Sequence, residues 1–267
     1  MNLLRLQSAG PMARIVIDHP QRRNAFTRAM WRALPGLVQR ALADEASRVL
    51  VLQASQPGVF AAGADISEFE ATYREAAEAE RASREINDAV DALQACPLPV
   101  VALIDGPCVG GGVALAVACD IRLASDRARF AVTPAKLGLS YHPDDLRRLV
   151  RACGLAAASE LLYGGQLWSA DRALRAGLVN QVLPQGDAFE AGAQSLLQAI
   201  CGNSVDATRA IKQGLRAVTS QDPAALGAAA RTFVQLFQGP DFAEGRDAFL
   251  AKRPPCFPSH LDPTDDD

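Results

Sequence analysis

Residues 98–124, LPVVALIDGPCVGGGVALAVACDIRLA, read as buried strand, glycine turn, buried helix and second strand without a break. Val100 to Ile104 is a β-branched apolar run closed by Asp105-Gly106-Pro107. Gly110, Gly111 and Gly112 then open a helix that is apolar all round from Val113 to Ala118 and ends before Asp120. A helix with no polar face is buried, and its first N–H groups have no partner inside the helix. With no Cβ on three successive residues, a ligand oxygen can come close to that backbone, and the helix dipole favours negative charge there. The alternative is that the glycines only permit a tight turn and close helix packing. Neither the GxGxxG spacing of a dinucleotide fingerprint nor the Lys-Ser/Thr of a P-loop is present, so the turn is not read as a phosphate cradle.

Upstream, Asn2 to Leu6 and Ala13 to Ile17 read as a hairpin around Ser8-Ala9-Gly10-Pro11, ended by His19-Pro20. The loop Gln21-Arg22-Arg23-Asn24-Ala25-Phe26 follows. Thr27 is placed to cap an amphipathic helix running to about Ala43. Val49 to Gln53 reads as a short buried strand leading to Val59-Phe60-Ala61-Ala62-Gly63-Ala64-Asp65-Ile66, small and apolar with a single carboxylate. Ser67 to Ala95 reads as one long helix whose many charges form a solvated face.

Downstream, Arg129 to Val132 is a strand and Pro134 to Leu139 a turn, followed by the polar cluster Ser140-Tyr141-His142-Pro143-Asp144-Asp145. Helices are predicted over 143–152, 156–163 and 170–176, and a strand over 178–182. Four further helices follow, near 188–200, 205–218, 224–237 and 242–252. Strands mixed with helices, then helices alone, predict an α/β core over residues 1–200 and a helical C-terminal region over 201–267. The tail from Pro254 to Asp267 is predicted to be disordered.

The 267 residues carry a formal net charge of −3, which gives no reason to expect nucleic acid or an acidic membrane as partner. The six cysteines are scattered with no CxxC, as free thiols of a cytoplasmic protein would be. His19, His142 and His260 stand in no metal-ligand spacing, so no metal is expected. The first residues lack the pattern of a secretory signal, and no apolar run is long enough to span a bilayer.

Two stretches together are distinctive: Phe60-Ala61-Ala62-Gly63-Ala64-Asp65-Ile66, and Asp105-Gly106 to Gly112 with Cys119-Asp120-Ile121. They resemble the two signature segments of the crotonase, or enoyl-CoA hydratase/isomerase, superfamily. The similarity continues through the Pro20 to Ala25 loop, Ala173 to Val179 and Glu244 to Arg253. The resemblance implies a spiral of ββα units with a helical C-terminal trimerisation region, assembled as a homotrimer or dimer of trimers. It implies an acyl-CoA thioester as substrate, with coenzyme A part of that substrate and no separate cofactor. Carried over residue by residue, the two backbone donors that stabilise an enolate are Ala64 and Gly111, an arrangement worth roughly 3 to 4 kcal/mol per donor in measured oxyanion holes. Ala62, Asp65, Ile66 and Gly110 fall with the substrate-binding positions. Arg22, Arg23, Lys252 and Arg253 fall with those that approach the CoA phosphates, a task suited to arginine.

The departures bear on the reaction. Family hydratases place one glutamate two residues after the GGG and another after the following strand; here those positions hold Ala114 and Pro134, neither of which can hold a water or move a proton. Asp65, Tyr141, His142, Asp144 and Asp145 remain as polar candidates. Phe130 to Tyr141 resembles the methylmalonyl-CoA decarboxylase branch, which has a tyrosine matching Tyr141 and a histidine where this chain has Ala64. Other branches place a working aspartate at the position of His142. Tyr141 and His142 therefore join Ala64 and Gly111 as catalytic candidates. The plainer readings are a Tyr141 hydroxyl satisfied by backbone and a His142 that only opens the turn before Pro143. Ser140 stands in no GxSxG, so serine nucleophile chemistry is not expected. The reading is an acyl-CoA lyase or isomerase with poor simple hydration. The alternatives are a methylmalonyl-CoA decarboxylase-like lyase and a non-catalytic protein that binds acyl-CoA.

Overall fold

The computed structural model describes residues 3–220 and 222–257. The N-terminal apolar runs form an antiparallel hairpin, β1 (Leu4–Ala9) and β2 (Met12–Ile17), with Ala9 opposite Met12 across a two-residue Gly10-Pro11 turn. The strands run closer to the turn than the sequence predicts because Gly10 takes φ 55° and lets the chain reverse at once. The predicted start at Asn2 lies outside the described residues.

Four more strands add in parallel: β3 (Val49–Ala54), β4 (Val100–Ile104), β6 (Ile121–Ser125) and β9 (Gln181–Leu183), giving the order β1-β2-β3-β4-β6-β9. Parallel neighbours need crossovers. The first three are made by α1 (Arg28–Leu42), by α2 (Phe69–Tyr73) with α3 (Ala76–Ala95), and by α4 (Gly111–Ala118). A second, smaller sheet is built from β5 (Pro107–Val109), β7 (Arg129–Ala131) and β8 (Trp168–Ser169). Single-residue pairings of Ala61 with Cys108 and Phe26 with Ala64 extend it. Each turn of the chain thus lays one strand in the large sheet and a short piece in the small one, which is the expected spiral of ββα units.

Burial explains the patterning. Leu50, Leu52, Ala102 and Ile104 face a core shared with Leu34 of α1, Leu93 of α3 and Leu115 of α4. Val49, Val51, Val101 and Leu103 face the other way, onto Phe189, Ala193 and Leu197 of α7 (Asp187–Cys201). Covered on both faces, β3 and β4 read as unbroken apolar runs rather than alternating ones.

The predicted single helix over 67–95 is broken. A 3-10 turn, Ile66–Glu68, leads into α2, and Glu75 is extended (φ −112°, ψ 134°) before α3 begins. Nor are its charges all a solvated face. Glu78 and Glu85 both bind the Arg28 guanidinium, and Glu68 Oε2 accepts the Arg28 N–H at 2.7 Å. Of these carboxylates, Glu85 and then Glu78 raise the Arg28 pKa above its ordinary value. They tie α3 back to the first turn of α1, a long-range constraint that periodicity does not carry.

The two helices predicted over 143–163 are the halves of α5 (Pro143–Gly164), divided at Gly154, whose φ of 77° no helix can hold. β8 is missed by the sequence reading because two residues show no period. The predicted strand over 178–182 starts later, at Gln181, after Leu178 and Val179 have entered the core as a turn. After α6 (Ala170–Arg175) and α7 come α8 (Val205–Ser220), α9 (Pro223–Leu236) and α10 (Pro240–Leu250). The first residues of the predicted disordered tail are tied down: Glu244 of α10 binds Arg253 through both carboxylate oxygens and accepts the Cys256 N–H at 2.6 Å. The remainder of that tail lies outside the described residues.

Candidate active site

The glycine turn does three different jobs. Gly110, at φ 53° and ψ −116°, redirects the chain from β5 into α4, a conformation that side chains resist. Gly112 packs directly on the Phe60 to Ala64 segment, where an added Cβ would lie 2.5 Å from the Ala61 oxygen. Gly111 faces Trp31 and Ala64, and an added Cβ would lie 3.1 Å from Trp31 Cζ2 and 3.5 Å from the Ala64 nitrogen. Close packing and donor exposure are therefore both present, on different glycines.

The same contacts bring two distant N–H groups together. Phe26 pairs with the 63–65 segment by donating its N–H to Gly63 O at 2.8 Å and accepting the Asp65 N–H at 2.9 Å. In that pairing Ala64 presents its own N–H on the opposite side. Gly111 is the first residue of α4 and has no intrahelical acceptor. Among the described residues, neither the Ala64 nor the Gly111 N–H donates to any protein oxygen. α4 itself is held rigidly, with Gly112 through Ala118 all buried, so the Gly111 donor cannot relax away.

The Pro20 to Ala25 loop is clamped on this segment. Asn24, in the left-handed region at φ 56°, donates from Nδ2 to Val59 O at 2.7 Å, and Ala62 donates its N–H to Arg23 O at 3.1 Å. Arg22 and Arg23 stand exposed beside Ala62, and among the described residues their guanidinium groups make no ion pair. Ile66 is largely exposed at the edge of the segment. Asp65 Oδ1 accepts the Ser67 hydroxyl at 2.7 Å and the Ser67 N–H at 3.0 Å, capping the 3-10 turn. The hydroxyl bond, ahead of the weaker influences, lowers its pKa below the ordinary aspartate value. Asp65 stays ionised and occupied.

Tyr141 is buried, and its hydroxyl donates to Gly110 O at 2.9 Å. It fixes the peptide immediately before the Gly111 donor, and burial holds its pKa well above the ordinary tyrosine value. His142 caps α5. Its Nδ1 accepts the Asp144 N–H at 3.3 Å, and its Nε2 lies 2.8 Å from Asn87 Nδ2. Asp144 pairs with Arg147, and buried Asp145 pairs with buried Arg148 at 2.7 Å. Burial raises the Asp145 pKa. Of the C-terminal pair, Lys252 is exposed while Arg253 is engaged with Glu244, whose pKa that guanidinium brings down to about 2. Among the described residues, no three His, Cys, Asp or Glu side chains converge as a metal site.

Sequence reasoning missed Trp31, Asn24 and the Arg28 to Glu68 link. Asn24 carried a faint signal, since asparagine tolerates the left-handed region. Trp31 carried none, being one apolar position among several on α1.

The spiral of mostly parallel strands followed by C-terminal helices is a class of fold that known proteins share. The family model for enoyl-CoA hydratase/isomerase matches residues 8–260, and this chain belongs to that family. The human enoyl-CoA hydratase domain-containing protein 2, mitochondrial, is 32% identical, over 93% of this chain and 87% of the relative. A solved enoyl-CoA hydratase/isomerase family protein from Hyphomonas neptunium is 41% identical with a TM-score of 0.91, covering 96% of this chain and 97% of its own. An enoyl-CoA hydratase/carnithine racemase from Magnetospirillum magneticum has a TM-score of 0.91 at 34% identity, covering 97% and 96%.

Proposed function

We propose that this protein acts on an acyl-CoA thioester, with the Ala64 and Gly111 N–H groups donating to the thioester oxygen as an enolate forms. The observation that carries this is the pair of adjacent, rigidly held N–H groups with no protein acceptor among the described residues. Donors fixed before the reaction stabilise developing charge without reorganisation. Arg22 and Arg23, unpaired beside Ala62, suit the CoA phosphates. Coenzyme A enters as part of the substrate, and we assign no separate cofactor.

Ala114 is buried on α4 and Pro134 opens the 3-10 turn Pro134–Leu137, so neither supplies a carboxylate. The Tyr141 hydroxyl donates a hydrogen bond to Gly110 O, His142 caps a helix, and Asp145 is held by Arg148. This inventory favours a reaction that needs the oxyanion donors and little proton transfer. Loss of CO2 from a malonyl-type thioester is such a reaction: the electron pair of the broken C–C bond enters the enolate, and C2 then takes a proton from water. Tyr141 acts here as a positioning residue for the Gly111 donor.

Ile211, Leu215, Val218, Phe233, Phe237 and Phe249 are exposed on the C-terminal helices, as large apolar side chains of an interaction surface are. That supports assembly as a trimer or dimer of trimers. Free thiols at all six cysteines support a cytoplasmic protein.

The test follows the enoyl absorbance when purified protein meets crotonyl-CoA, beside CO2 release from malonyl-CoA and methylmalonyl-CoA. Hydration is expected to fall about 10²- to 10⁴-fold below that of a glutamate-bearing hydratase, the contribution of one general acid or base. Hydration within tenfold of such an enzyme overturns the reading of Ala114 and Pro134.

A further inference from the structure

Trp31 lies on α1 and is 3% exposed, with the benzo edge of its indole against Gly111. Its Nε1–H is buried and has no acceptor among the described residues. A buried N–H is ordinarily paired, and leaving one without a partner is costly. Phenylalanine would fill most of the same volume without that cost and keep the ring contact to Phe26, whose centroid lies 4.5 Å from that of the indole. The same indole lines a cavity with Phe26, Ala64, Asp65 and Thr72 that has room for about one water, ≈ 20 Å³. The residue that carries this unsatisfied donor thus lines a space beside Ala64 and packs its ring edge against Gly111.

Within an indole, Nε1 and Cζ2 are both bonded to Cε2, so the N–H lies next to the ring atoms that touch Gly111. Two backbone donors already serve the thioester oxygen under the reading above. A third donor alongside them is placed for the next atoms of the acyl chain. We infer, on the basis of that acyl-CoA reading, that the Trp31 Nε1–H is a specificity-determining donor. It selects acyl-CoA thioesters that carry a hydrogen-bond acceptor, a carbonyl or hydroxyl oxygen, at C3. A site built to pair such an oxygen discriminates against analogues lacking it, because the donor is then stranded.

The experiment compares wild type and Trp31→Phe by calorimetric binding of acetoacetyl-CoA, which has a C3 oxygen, and butyryl-CoA, which has none. The variant is expected to lose about tenfold in affinity for acetoacetyl-CoA and less than threefold for butyryl-CoA. Equal losses for both thioesters, or none for acetoacetyl-CoA, overturn the inference, leaving packing or a trapped water as the role of Trp31. A second readout uses the wild-type protein and so does not depend on how the variant folds. The chain has two tryptophans, Trp31 and Trp168, and hence two indole N–H resonances. The Trp31 signal is expected to move with acetoacetyl-CoA and to stay in place with butyryl-CoA, and equal or absent shifts overturn the inference. Wild-type protein that binds neither thioester is a different result: it overturns the acyl-CoA reading, and this inference with it.

Discussion

The two ends of α4 are treated in opposite ways. Among the described residues, the Gly111 N–H at its N-terminus has no protein acceptor, and the neighbouring Ala64 N–H has none either. At its C-terminus the carbonyls are actively satisfied. Arg122 donates from Nη1 to Cys119 O and from Nε to Leu178 O, both at 2.7 Å, although burial lowers its pKa and its hydrogen bonds go only to neutral carbonyls. The same treatment is given to neighbouring helix ends: Arg216 donates to Ala95 O and Cys96 O behind α3, and Arg151 donates to Thr219 O near the end of α8. Basic side chains complement helix C-termini through both hydrogen bonds and the dipole. Among the described residues, these carbonyl ends are capped by side chains of this chain, whereas the Ala64 and Gly111 donors are not.

The comparison is broken most strongly by Gly111→Ala. The added methyl would press on Trp31 and stand in ordinary contact with the Ala64 nitrogen, beside the open donors, so turnover on the acyl-CoA substrate should fall about 10²-fold or more. Thermal stability should change by no more than about 1 kcal/mol, since both neighbours need shift only slightly. Steady-state kinetics beside a melting curve reads both. A variant with wild-type turnover would remove the oxyanion role of this end of the helix.

Arg122→Met tests the opposite end. It strands the Cys119 and Leu178 carbonyls in a buried place, so unfolding free energy should drop by about 2 to 4 kcal/mol. The kcat of the protein that remains folded should stay near wild type. Denaturant titration measures the first and active-site-normalised kinetics the second. A large kcat loss with full stability would reverse the assignment of roles.

The smallest effect is expected at Asp65, the carboxylate next to the open donors. Asp65→Ala removes the cap on the 3-10 turn Ile66–Glu68 and should cost about 1 kcal/mol at pH 7. Because the folded-state pKa is lowered below the ordinary aspartate value of 3.8, the wild-type advantage is fully present above that value. It is lost as pH falls through the lower, folded-state pKa. Stability of the two proteins measured from pH 7 to pH 2 should therefore converge at the acid end. A difference that persists there would mean the side chain contributes through packing rather than charge.

Much of this architecture was legible locally. The apolar runs at β3 and β4, the all-apolar helix after the glycines, the Thr27 cap and the break near Gly154 all follow from short-range pattern. Backbone periodicity and glycine chemistry act over a few residues. The interrupted helix over 66–95 was not legible, because its course depends on Arg28 reaching Glu78 and Glu85 from another helix. β8 was too short to show a period.

At the site, the sequence by itself determined the donor-bearing turn: three glycines before an apolar helix leave free N–H groups whatever surrounds them. It also placed Ala114 and Pro134, neither of which carries a carboxylate, just after that turn and after the strand that follows. Only the tertiary structure decided what stands beside that turn. The Ala64 amide arrives from 47 residues upstream through the pairing with Phe26, and Trp31 arrives from α1 with its N–H unsatisfied. Tyr141 and His142 look alike in the sequence as polar residues near the turn, yet one secures the Gly110 carbonyl and the other caps α5. The physical reason is that hydrogen-bond partners in a spiral fold are set by contacts between successive turns of the chain, and those contacts leave no mark in the spacing of neighbouring residues.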